Sequence, residues 1–239
     1  MPLNMNGLSV ELLYEIQLVA HSPSLPLVNR RFHGIFSASP PSYKAQYLRH
    51  VANPLQYPIA CDEKVVALLP PPTRPLDLPR HLFRHLSPAK KYEDDPPLPF
   101  LTFLYNHSPY PPDPNTHSGY ALTKAVHARF VRLVRFLLSH GASPTPKDGL
   151  AVNIAIRQKD LAMVKLLIER PPGKGKKRRR LGDRIQVSQD MLKTAVKCRA
   201  RDIVVYFTQE KGCVPDMQTL YALGISQLKP TREDYHFHD

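Results

Sequence analysis

The chain has 239 residues, 42% hydrophobic and 22% charged, enough for one or two domains with a real core. It carries 26 prolines, no tryptophan and a formal charge of +13, six of whose positives lie in one run, leaving a moderately basic remainder of about +7. No apolar stretch reaches about 18 residues, so no membrane span is expected; the opening residues lack a basic start before an apolar block, so no secretory leader is expected; and Cys61, Cys198 and Cys213 show neither metal-ligand nor disulfide spacing, which fits cytosol or nucleus.

Residues 1–50 read as a helical segment. Leu8, Leu12, Leu13, Ile16, Val19 and Ala20 recur at helical spacing, with Ser9 as N-cap and Glu11 and Glu15 near the helix start. Pro23 and Pro26 break this helix. A second follows, with Leu27, Val28, Phe32, Ile35 and Phe36 on one side, until Pro40-Pro41 stops it. A short helix over 43–51 comes next.

Residues 51–118 are proline-dense, with fifteen of the prolines between Pro54 and Pro114. Strands are disfavoured, because proline removes ladder donors and alternation is poor. Short packed helices are expected over 63–69, 79–86 and 99–105. His81 and His85 stand four apart on an expected helix, a spacing that can bind metal, but no carboxylate or cysteine nearby is expected to complete a site. Asp94-Asp95 reads as solvated charge.

Residues 119–229 contain an internal repeat. Ala125, Ala155 and Ala195 head three copies, the second spaced by 30 residues and the third by 40. Leu122, Val126, Val131, Leu133, Val134 and Leu137 fall on Val152, Ile156, Leu161, Met163, Val164 and Leu167. In the third copy Leu192, Val196, Ile203, Val204 and Phe207 fill the slots. Each copy reads as two helices, with the alanine allowing close approach. The longer spacing holds a basic insert, 173–181, and residues 230–239 form a tail. A partial fourth unit is expected at 217–228.

These copies resemble the ankyrin repeat, which opens on a turn glycine before T-P-L-H-x-A and closes on L-L-x-x-G-A. Gly119 precedes Tyr120-Ala121-Leu122-Thr123-Lys124-Ala125, and that copy closes Leu137-Leu138-Ser139-His140-Gly141-Ala142. The second opens Asp148-Gly149 and closes Leu166-Leu167-Ile168, followed by Pro171-Pro172; the third closes near Gly212-Cys213. The Thr-Pro pair is missing throughout. The start of the chain is similar to the F-box, through Leu8, Glu11, Leu12, Leu13 and Ile16, then Leu25, Leu27, Val28 and Phe32, with Ser9 in place of the usual proline.

These resemblances imply an all-α protein: an ankyrin-like helical repeat stack preceded by a short F-box-like segment and a Pro-rich helical region. They imply a non-enzymatic recognition protein without cofactor, a substrate-recognition adaptor of a cullin-type ubiquitin ligase. Leu8, Glu11, Leu12, Leu13, Ile16, Leu25, Leu27 and Val28 would dock a Skp-type linker. His127, Arg129, Phe130, Arg157, Lys159, Asp160, Lys197 and Arg199 would line the partner groove, with Phe130 an exposed anchor and the positive charge suited to an acidic or phosphorylated target. Lys174, Lys176, Lys177, Arg178, Arg179 and Arg180 form a run suited to an import receptor, placing the chain in nucleus, cytoplasm or both; specific nucleic-acid binding is not expected. The alternative is a nuclear ankyrin scaffold or chromatin or transcription cofactor without a ligase role. No Gly-rich phosphate loop, G-x-S-x-G, H-E-x-x-H or C-x-x-C supports an enzyme.

Overall fold

The computed structural model describes residues 7–21, 24–49, 51, 53–72, 75–108, 110–170, 182–217 and 219. The basic run, most of the expected fourth unit, and the tail with His236 and His238 lie outside the described residues. Among these the fold is all-α, with eleven α-helices, several short 3-10 turns, and one isolated bridge between Asp77 and Asp113. No helix among them is long and apolar enough to cross a membrane. The chain divides into two compact units, one of residues 1–86 and 92–117, the other of 87–91 and 118–239.

The first unit holds α1 (Val10–Ala20), α2 (Arg30–Ser37), α3 (Pro41–Leu48), α4 (Glu63–Leu68) and α5 (Leu98–His107). Ser9 caps α1 by accepting from the Leu12 N–H, and Asn29 caps α2 by accepting from the Phe32 N–H. Prolines 40 and 41 start α3, where their missing donors cost nothing. The expected helix over 79–86 is instead a 3-10 turn, Arg80–Phe83. One cluster joins Leu13 of α1 to Phe32, Phe36 and Tyr43; a second joins Ala45, Tyr47 and Leu48 of α3 to Ala60 and Val65. Leu18 packs against both. The core therefore runs across residue 50, so residues 1–50 and the start of the proline-dense segment are one body. A cavity of about 760 Å³, walled by Leu48, Leu55, Leu69, Phe103 and Leu104, lies in the same unit.

The second unit holds three helix pairs: α6 (Thr116–His127) with α7 (Val131–Ser139), α8 (Pro146–Arg157) with α9 (Leu161–Ile168), and α10 (Gln189–Lys197) with α11 (Arg201–Val205), which runs on into a π-helical turn, Tyr206–Glu210. Between pairs, α8 packs on α10, and α9 packs on both α7 and α11. Ala125, Ala155 and Ala195 are wholly buried, as are Leu137, Leu167 and Phe207. The slot of Val131 and Leu161 departs from this pattern, Val131 being 40% exposed.

Two backbone devices recur with the repeat. Residues 117–119 and 147–149, thirty apart, are each three consecutive left-handed residues ending in glycine. A Cβ on Gly149, at φ +72°, would stand 2.2 Å from Met191 Cε. The third copy replaces this turn by a capping serine, Ser188, which accepts from the Met191 N–H. The second device closes α6, α8 and α10. Phe130, Asp160 and Ala200 N–H groups donate to the carbonyls of Ala125, Ala155 and Ala195, while Arg129, Lys159 and Arg199 N–H groups donate to Val126, Ile156 and Val196. This paired pattern is the Schellman motif, and its left-handed position usually carries glycine. Here it carries Arg129, Lys159 and Arg199, at φ of 56°, 56° and 53°.

Candidate partner-binding site

The helical start divides the apolar residues of α1 between core and surface. Leu13 is fully buried. Gln17, also buried, accepts a 2.6 Å hydrogen bond from the Tyr43 hydroxyl, whose ring stacks on Tyr14 at 4.2 Å. Burial pushes the Tyr43 hydroxyl far up from its ordinary pKa, so it remains a donor. Leu13 thus belongs to the core and not to the expected docking face, because Phe32, Phe36 and Tyr43 close over it.

Other residues of this region remain accessible. Leu12 is 46% exposed, Val19 83%, Leu27 76% and Val28 64%, while Leu8, Ile16 and Leu25 are half-buried. A cavity of about 300 Å³ adjoins Leu27, with Phe36, Tyr43, Tyr47, Tyr57 and Ile59 in its walls. Glu11 is exposed, and its own backbone N–H, with the Ser9 hydroxyl, holds its carboxyl below the usual range. Val19 was legible as apolar in the helical pattern but not as the most exposed of that set.

In the second unit, His127, Arg157 and Lys197 are the last residues of α6, α8 and α10, and all three are exposed. Two residues on stand Arg129, Lys159 and Arg199, also exposed. These six therefore ring the turns that join the two helices of each pair, where the Schellman geometry fixes them. Neighbouring turns are tied directly: Gln158 Nε2 donates to the His127 carbonyl at 2.8 Å, and Arg129 Nη2 reaches the Gln158 carbonyl at 3.5 Å. Among the described residues, no ion pair engages Arg129, Arg157, Lys159, Lys197 or Arg199.

Two residues expected in the groove do other work. Phe130 is fully buried, because the residue after the left-handed turn folds back onto its own helix pair. Asp160 caps α9, accepting from the Met163 N–H at 2.9 Å. Both leave the expected groove set, whose remaining members are His127 and the five cations Arg129, Arg157, Lys159, Lys197 and Arg199.

One arrangement had no sequence signal. Cys61 Sγ lies 3.2 Å from His81 Nε2, twenty residues on. Burial pushes the Cys61 thiol up to about 12, and burial with the nearby Arg84 charge lowers the His81 pKa. The thiol is therefore held neutral beside a neutral imidazole, and the neutral thiol is the unreactive form of cysteine. No group of three or more metal-ligating side chains occurs among the described residues. No known protein family, curated protein or solved structure matches the chain.

Proposed function

We propose that this protein is a recognition adaptor for a cullin-type ubiquitin ligase. Its helical start would dock a Skp-type linker, and its three helix pairs, read as an ankyrin-like stack, would hold an acidic or phosphorylated target. The observation that carries the reading is the accessibility of Leu12, Val19, Leu27 and Val28 on a start whose core is already filled by Leu13, Phe32 and Phe36. A helical hairpin serving only as a cap would bury these side chains; exposing four of them leaves apolar area that association removes from water. The adjoining 300 Å³ cavity, walled by Tyr43, Tyr47 and Tyr57, offers a partner side chain an aromatic seat of the kind interface anchors use. The repeated turns and the Ala125, Ala155 and Ala195 slots support the stacked reading of the second unit.

The test is a pull-down of the intact chain on a Skp-type linker, beside Leu12→Asp with Val28→Asp. Both sites are accessible, so the double variant is expected to keep its circular dichroism and melting temperature while losing linker capture. Leu13→Asp is expected to unfold, since it places an unpaired carboxylate in the core. Absence of capture by the wild-type chain would end the ligase reading.

A further inference from the structure

The left-handed residues that close α6, α8 and α10 sit where glycine is the cheapest choice, and all three copies place a long cation there instead. Helix electrostatics explain a cation within the last turn, and so account for Arg157 and Lys197. The same field reaches Arg129, Lys159 and Arg199, just beyond the helix, but it is worth no more than the strain of holding a Cβ in the left-handed region, which glycine would avoid. Strain kept at the same place in three sequentially distant turns points to use of the side chain that causes it. The turns are also mutually ordered. Gln158 locks the first to the second, and α8 packs on α10 to bring the third alongside.

We propose that these three turns form a recognition surface for an extended acidic segment of a partner protein, carrying one anionic side chain every third residue. Packed helices lie about 8–10 Å apart, the spacing that α8 on α10 gives the second and third turns, while the Gln158–His127 bond keeps the first beside the second. A polyproline-II segment rises about 3.1 Å per residue with three residues per turn, so every third side chain shares a face at about 9 Å. That period matches the row, whereas a β-extended segment would turn alternate anions away. Protein is favoured over nucleic acid because Phe130 is buried and the turns expose a single ring, the His127 imidazole, which is no platform for successive stacked bases. The surface is the row of turns rather than a groove along helix faces. The inference rests on reading the helix pairs as the target-binding part, and it does not depend on linker docking.

Fluorescence anisotropy with the intact chain tests it, using two labelled nonapeptides: three Glu-Pro-Ala units, and the same residues with the glutamates adjacent. The spaced peptide is expected to bind several-fold tighter. Combining Arg129→Gln, Lys159→Gln and Arg199→Gln should weaken it about tenfold and flatten the salt dependence. The corresponding triple glycine variant should lose the same binding while melting at a higher temperature, a split that a purely structural role does not produce. Neutralising the basic residues of 174–180 should lower the affinity for both peptides and leave the preference intact. The proposal is overturned if the triple glutamine variant binds like wild type, if the preference resides in the insert, or if single-stranded oligonucleotide competes for the same three residues with higher affinity. No linker is present in the assay, so its failure leaves the docking reading standing, and the reverse holds too.

Discussion

Glycine at positions 129, 159 and 199 should stabilise the protein, although each change removes a charged side chain from its surface. A left-handed conformation costs an L-residue about 1–2 kcal/mol. The greater freedom of glycine in the unfolded chain takes back about 0.5–1 kcal/mol. The net expectation is a gain of about 0.5–1 kcal/mol at Lys159 and at Arg199. Arg129 should gain close to nothing, because its 3.5 Å contact with the Gln158 carbonyl is lost as well. The first and second turns are coupled through Gln158, but Arg129 contributes close to nothing, so the triple variant should gain the sum of the Lys159 and Arg199 effects, about 1–2 kcal/mol. In urea this moves the midpoint up by about 0.5–1 M with the slope unchanged. Alanine at the same positions separates the causes, since it removes the charge and keeps the Cβ; those variants should stay near wild type. Gly149→Ala should move the opposite way, by about 1–2 kcal/mol, because it adds left-handed strain at φ +72° and crowds Met191 Cε and Ile185 Cδ1. The reasoning fails if the glycine variants at Lys159 and Arg199 are both less stable than their alanine counterparts.

Phe130→Ala should cost about 3–5 kcal/mol in thermal or urea unfolding, because the ring is fully buried; a loss under about 0.5 kcal/mol would restore it to the surface. Cys61, with its thiol pushed up to about 12, should be alkylated by iodoacetamide far more slowly at pH 8 than a cysteine in a free peptide, with the rate climbing through the alkaline range. The sign for stability follows: a thiol harder to ionise when folded contributes stability that is present below the ordinary thiol range and lost as pH rises toward 12. Mass spectrometry showing Cys61 modified as fast as the peptide would refute its burial.

The repeat was legible because its core slots are filled by like residues at fixed spacing, and the wholly buried Ala125, Ala155 and Ala195 are where that pattern put them. Phe130 was not legible, because its counterparts are Asp160 and Ala200, and a column with a carboxylate reads as surface. The turn geometry, and not the residue type, decides that this position folds inward. Leu12 and Leu13 pose a related difficulty. They are neighbours about 100° apart on α1, and both suit a broad apolar stripe. Only the contacts of Phe32, Phe36 and Tyr43, brought in from α2 and α3, select Leu13 for the core. The Cys61–His81 pair depends on how a proline-rich stretch turns, for which periodicity carries no information.

The unequal spacing of the copies raises the question of how a 40-residue step preserves slots set by a 30-residue one. Bonds on either side of the insert close it at its base. The Arg184 N–H donates to the Ile168 carbonyl at 2.7 Å, and the Arg184 guanidinium to the Glu169 carbonyl at 2.6 Å. Lys211 bridges Asp183 at 3.0 Å and Glu169 at 3.4 Å, and Tyr206, buried behind them, donates to Glu169 at 2.8 Å. The chain thus leaves the second pair and returns to it at nearly the same point, so α10 can take up its place on α8 as though the extra residues were absent. The entropic cost of the longer loop grows only logarithmically, about 0.6 kcal/mol per doubling, which this set of contacts can offset. Packing and the closed base, rather than the length of the connection, therefore set the position of the third pair, and with it the position of Arg199 in the cationic row.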